Sequence, residues 1–273
     1  MDKIFPVLMA FTAYSFLSLG FVLMKKGIKW MGWKGPKDKN FYWNLAIWVT
    51  GFIVMNIYGV PSAVALKSLP PHIVSAFAGW GIVMLVLFSF LFLKEKIYKT
   101  DYFFSALIAG GIFLLGYFER PTASTHSFHL WGMVILCSVP LLLFLTGFFK
   151  FLTKKVKTVI FASVSGVSAG LMVVSLRLLV INYGYKVSLY FNSIYLYLYI
   201  FFALLSFIAL QLALKKGPMI AVGPVQYATN IIYPACSTLL VFQRSLHLIQ
   251  FLALASIIYS VINILRSRPS DGF

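Results

Sequence analysis

Acidic residues are nearly missing from this 273-residue chain, in which six Asp and Glu stand against 23 Lys and Arg. The six are Asp2, Asp38, Glu95, Asp101, Glu119 and Asp271, and all fall in loops, in the termini or at the ends of apolar runs. Charged residues make up 11% of the chain, less than half of the roughly 25% found in soluble domains. Cysteine is scarce as well: Cys137 and Cys236 both lie in apolar runs, and the histidines at 72, 126, 129 and 247 have no ligand spacing. A disulfide framework, a structural zinc site and a metal-dependent active site therefore find no support, and no cofactor is expected. Also absent is any polar stretch long enough to fold as a soluble domain; the longest connector runs only from Lys25 to Asn40. What remains is apolar, with 61% hydrophobic and 18% aromatic residues and a mean hydropathy of +0.92.

A membrane-spanning helix needs about 20 mostly apolar residues, and that length predicts nine spans. They run over 4–24, 42–66, 71–93, 101–118, 129–151, 158–182, 189–214, 218–242 and 247–265. The first run has a single Lys3 before it and no small-residue cleavage pattern after it, so it is expected to be a span and not a cleaved signal. Alternate loops divide the basic residues unequally. Seventeen of the 23 lie on one side, in clusters at 25–39, 94–99, 150–157, 215–216 and 266–268. Lys3, Lys67, Arg120, Arg177, Lys186 and Arg244 lie on the other. Because cytoplasmic loops collect Lys and Arg, the expected topology has the N-terminus outside and the C-terminus inside. A net charge of +17 would suggest nucleic acid in a soluble chain. Here it reports membrane orientation, with anionic inner-leaflet lipids as the expected partners and no nucleic acid.

Residues in the first half recur in the second. Ser15, Ser18 and Gly20 of span 1 match Ser165, Ser168 and Gly170 of span 6, and Ala65-Leu66-Lys67 with Pro70 matches Ala213-Leu214-Lys215 with Pro218. Two four-helix repeats follow, residues 1–128 and 157–273, joined by a linking helix within 129–156. Four spans return a chain to its starting side, so the one additional span turns the second repeat upside down. Inverted repeats are a common architecture of secondary transporters, with the substrate near the midplane between the halves.

Several stretches resemble the drug/metabolite transporter (EamA-type) superfamily. They are Leu23-Met24-Lys25-Lys26-Gly27, Ala65-Leu66-Lys67, Phe92-Leu93-Lys94-Glu95-Lys96 and Val222-Gly223-Pro224-Val225-Gln226-Tyr227. The NIPA-like magnesium transporters are the nearest likeness and the small multidrug resistance proteins a more distant one. The resemblance implies an all-α bundle that moves a solute by alternating access. It also implies intramembrane glutamates for ion chemistry, and these are replaced. The small multidrug resistance glutamate of span 1 aligns with Leu17, the NIPA-like glutamate of span 2 with Phe52 after Gly51, and that family's span 3 proline with Ala76. Magnesium demands oxygen ligands and usually at least one carboxylate, so the local chemistry favours a neutral or anionic metabolite or an amphiphile's headgroup.

Polar groups inside the spans are the candidate site. Gln226, Asn230 and Tyr233 recur at i, i+4 and i+7 on span 8, and Pro234 has no N–H for the carbonyl of Asn230. Tyr227 adjoins Gln226. These residues either line a cavity or bond neighbouring helices. Asn56 on span 2 and Ser75 and Trp80 on span 3 carry the same two readings, cavity or packing. Arg177 either snorkels to the outer surface or attracts an anionic group. The expected substrate-binding set is thus Asn56, Ser75, Trp80, Arg177, Gln226, Tyr227 and Asn230, in a cavity among spans 1, 2, 3, 6 and 8. Gly166-Val167-Ser168-Ala169-Gly170 formally reads G-x-S-x-G. A nucleophile elbow needs a strand-to-helix turn, whereas this stretch lies within an apolar helix. Small residues there allow close helix contact, and no enzymatic activity is expected. The primary reading is a transporter in the cell membrane that lacks a buried-carboxylate coupling site, with homodimerisation left open. The alternatives are a divalent-cation permease and a non-transporting membrane scaffold or accessory subunit.

Overall fold

The computed structural model describes residues 4–29, 39–66, 77–118, 130–183, 187–240 and 248–267. Among these the chain is all-α, with no strand. The helices are α1 (Ile4–Gly27), α2 (Lys39–Ile57), α3 (Gly59–Leu66), α4 (Ala78–Phe88), α5 (Lys99–Tyr117) and α6 (Leu130–Thr146), then α7 (Lys154–Tyr183), α8 (Val187–Tyr190), α9 (Ile194–Lys216), α10 (Met219–Leu240) and α11 (Leu248–Arg266). Five helices are long and apolar enough to cross a bilayer: Ile4–Gly27, Asn40–Ser62, Lys154–Leu176, Ile194–Lys216 and Leu248–Arg266. They bury part of their surface and present Phe5, Leu8, Phe201, Leu204 and Ile208, among others, to the outside. Helices apolar on every side belong in lipid, so the chain is an all-α membrane protein. The region containing Ser75, Ala76, Lys67 and Pro70, and the connectors with Lys34, Lys37, Arg120 and Lys186, lie outside the described residues.

Two compact units divide the chain. The first comprises Met1–Glu119, Gly217–Pro224 and Leu248–Gly272; the second comprises Arg120–Lys216 and Val225–His247. In the first unit α1 packs against α2 with almost no side-chain spacer. A Cβ on Gly20 would lie 2.6 Å from the Met55 nitrogen, and one on Gly51 would lie 2.8 Å from the Gly20 carbonyl oxygen. Lipid tails are as apolar as leucine, so close backbone approach through small residues is what holds such helices together. On another side of α1, the buried Ser18 hydroxyl donates to the Gly81 carbonyl of α4 at 2.6 Å. The far side of α5 meets α11, with Phe104 edge-on to Tyr259 at 6.1 Å.

α4 ends in a π-helical turn, Ser89–Leu93, closed by Lys94 in the left-handed region at φ 53°. An L-residue in that region carries about 1–2 kcal/mol of strain. The turn directs Glu95 onto the start of α10, where its carboxylate accepts from the backbone N–H groups of Met219 (2.7 Å) and Ile220 (3.0 Å). These are two of the N–H groups that a helix start leaves without an internal partner, and the helix dipole favours an anion there. Lys25 secures the same corner by donating to the Gly217 carbonyl at 2.6 Å.

In the second unit, Met133 and Leu136 of α6, Val164, Leu171 and Val174 of α7, and Phe202 and Leu205 of α9 form one apolar core. Ser206 of α9 donates to the Ser165 carbonyl of α7 at 2.8 Å. Tyr233 of α10 donates through its phenol to the Leu136 carbonyl of α6 at 2.6 Å. α6 continues through Pro140.

Candidate functional site

The helix with the amide stripe, α10, begins in the first unit and passes into the second at Val225, so Gln226, Tyr227 and Asn230 all belong to the second. Its partner there is α7. A Cβ on Gly166 would collide with the Thr229 hydroxyl and the Gln226 carbonyl and would lie 2.9 Å from the Asn230 nitrogen. One turn further on, a Cβ on Gly170 would lie 2.8 Å from Pro234 Cδ and 3.2 Å from the Asn230 carbonyl oxygen. The G-x-S-x-G stretch therefore works in the fold as a pair of glycines four residues apart that lets α7 lie directly on α10. The Asn230 carbonyl that Pro234 cannot bond faces α7 at this contact.

Within the stripe, hydrogen-bonding capacity is distributed unevenly. Thr229 returns its hydroxyl to the Val225 carbonyl at 2.8 Å, and Tyr233 is committed to Leu136. Gln226 is only 6% exposed, and its side-chain oxygen, Oε1, accepts no hydrogen bond. Leaving a buried acceptor without a donor costs about 1–3 kcal/mol. Asn230, four residues later on the same face, is half-buried. Tyr227 is turned about 100° from Gln226 around the helix and is among the largest fully buried side chains.

The other expected site residues among those described are carried by other helices. Asn56 is exposed on α2 and donates its amide to the Phe52 carbonyl of its own helix at 2.7 Å. Trp80 on α4 is 36% exposed; its indole N–H donates to the Ser15 hydroxyl at 3.0 Å, and Phe11 meets its ring edge-on at 5.1 Å. Both belong to the first unit. Arg177 lies on α7, 11 residues beyond Gly166 and so about 16 Å along the helix axis at 1.5 Å per residue. Ser75 lies outside the described residues, as do the side chains of Arg177 and Cys236.

Two carboxylates have environments that their positions near loops did not reveal. Glu95 caps α10, and Asp101 in the first turn of α5 is fully buried while its Oδ2 accepts from the Tyr98 N–H at 2.9 Å. Residues three apart across a helix start are the spacing of a capping interaction, which is the signal at Asp101. Among the described residues no group of three or more His, Cys, Asp and Glu could hold a metal ion. Comparison with protein-family models, with curated proteins and with solved structures returns no match to this chain.

Proposed function

We propose that this protein is a polytopic membrane transporter of the drug/metabolite transporter type that moves a small solute by alternating access. In this reading the chain has nine spans, with its N-terminus outside and C-terminus inside, as two inverted four-helix repeats about a linking helix. The observation that carries the proposal is the buried, unsatisfied side-chain oxygen of Gln226, four residues before Asn230 on a helix whose backbone at Gln226 and Asn230 lies against Gly166 of α7. A purely structural amide in lipid would be expected to reach a neighbouring carbonyl or hydroxyl, as Tyr233 and Ser206 do. An amide held ready in an apolar bundle is what a polar cargo needs to replace part of its hydration.

The test is reconstitution in liposomes, following magnesium influx and efflux of a panel of labelled metabolites, with Gln226→Ala and Asn230→Ala as comparisons. Metabolite flux reduced at least tenfold by Gln226→Ala supports the assignment. Flux insensitive to both substitutions removes the α10 site, and robust magnesium flux replaces the organic solute with a divalent cation. A protein that reconstitutes in oriented, folded form and moves nothing under any gradient is an accessory subunit instead.

A further inference from the structure

The second unit, which holds Gln226, contains no Asp or Glu: the sequence has none between Arg120 and His247. Its ionised groups are Lys150, Lys154, Lys155, Lys157, Lys186, Lys215 and Lys216, with Arg120, Arg177 and Arg244. A cation at Gln226 would leave water for a low-dielectric bundle to which residues 120–247 contribute only cationic side chains. The carboxylate nearest along α10 is that of Glu95, seven residues away at Met219, about 10 Å along the helix, and it is already bonded to two backbone N–H groups. A hard cation would also lack the carboxylate oxygen that such ions usually take. Charge therefore selects against cations at this place. The unsatisfied atom adds a second selection. Gln226 Oε1 is a carbonyl oxygen and can only accept, so its partner must be a donor. An ammonium donor is already disfavoured, which leaves an uncharged O–H or N–H. Of these the hydroxyl can accept at the same time as it donates, from an amide NH2 such as that of Asn230 on the next turn of the same face.

We infer that the cargo of this protein is a hydroxylated solute without net positive charge, whose hydroxyl donates to Gln226 Oε1. The inference rests on the transport reading for the word cargo, and on the buried amide alone for the recognition chemistry. A site built to bond a hydroxyl rejects the analogue that lacks it, because the buried acceptor is then left bare. That rejection can be measured as binding, independently of flux.

The full-length protein in lipid nanodiscs is titrated by thermal shift with two matched pairs, each differing by one hydroxyl: 3-hydroxypropyl phosphate against propyl phosphate, and lactate against propionate. Choline and magnesium chloride serve as cationic probes. The expected result is that at least one hydroxylated member half-saturates the shift at a concentration about tenfold below its deoxy partner, the size of one hydrogen bond. Gln226→Leu should abolish that difference by weakening the hydroxylated member alone. Gln226→Asn, which keeps an amide one methylene shorter, should retain part of it and decides the matter if the leucine variant does not fold. Equal half-saturation within both pairs, or no shift with any of them, overturns the inference and leaves a buried water as the partner of Gln226. Tighter binding of choline or magnesium than of every anion overturns it too. Hydroxyl-dependent binding without flux of the bound solute would refute the transport reading while the recognition chemistry stands.

Discussion

Replacing Gly166 by alanine puts one methyl group where α10 already lies. The added Cβ meets the Gln226 carbonyl, the Thr229 hydroxyl and, at 2.9 Å, the Asn230 nitrogen. Ordinary contact begins at 3.4 Å, so the nitrogen must recede by about 0.5 Å, and a backbone atom inside a helix cannot rotate aside as a side chain can. α7 and α10 must separate along this turn. A radial gap of about 0.5–1 Å forfeits a quarter to a half of each dispersion contact it opens, and inserting a methyl into a filled interface costs about 1–3 kcal/mol. With backbone as the obstacle the upper part of that range applies, about 2–3 kcal/mol. At about 2–4 °C per kcal/mol for a chain of this size, Tm should fall by roughly 4–12 °C. The comparison is Gly110→Ala on α5, whose Cβ would have nothing within 4 Å. There alanine should be neutral or stabilising by up to about 1 kcal/mol, because it is the better helix former. Differential scanning fluorimetry of both variants in nanodiscs decides: equal Tm values would refute the close contact of α7 with α10.

The repeat-related serines should behave differently when each is changed to alanine. Ser18→Ala removes the 2.6 Å bond to Gly81 and should cost about 0.6–1.7 kcal/mol. Ser168→Ala removes a buried hydroxyl with no partner and should be neutral or stabilising, so equal losses in the same unfolding assay would contradict the assignment. Glu95→Ala leaves the N–H groups of Met219 and Ile220 without their acceptor and should destabilise the protein by about 1–3 kcal/mol. Glu95→Gln, which keeps an oxygen acceptor without the charge, should recover part of that loss; a full loss in both variants would show that the charge rather than the bond matters.

How far the site could be read in advance differs residue by residue. The stripe of Gln226, Asn230 and Tyr233 was legible because helical periodicity alone puts i, i+4 and i+7 on one face. That Gln226 alone among them is buried with an open acceptor was not, because it depends on Thr229 bonding its own helix and Tyr233 reaching Leu136 on another. Asn56 has the same chemistry and a similar mid-span position, yet it is exposed and bonded to its own turn. The spacing of Gly166 and Gly170 promised a close helix contact without naming the partner.

The sequence by itself determined that the chain is helical and lives in a membrane, because a run of apolar residues long enough to cross a bilayer must close its own backbone hydrogen bonds, and only a helix does so within one segment. It also determined that no Asp or Glu lies between Arg120 and His247, since composition needs no coordinates. The tertiary structure decided which small-residue faces meet. It bonded Ser18 to α4 and left its repeat mate Ser168 without a partner, and it brought Glu95 to a helix start 124 residues away. The physical reason is that backbone hydrogen bonding in lipid is local and obligatory, whereas helix pairing rests on contacts between residues far apart in the chain, each worth little, which no short stretch of sequence can specify.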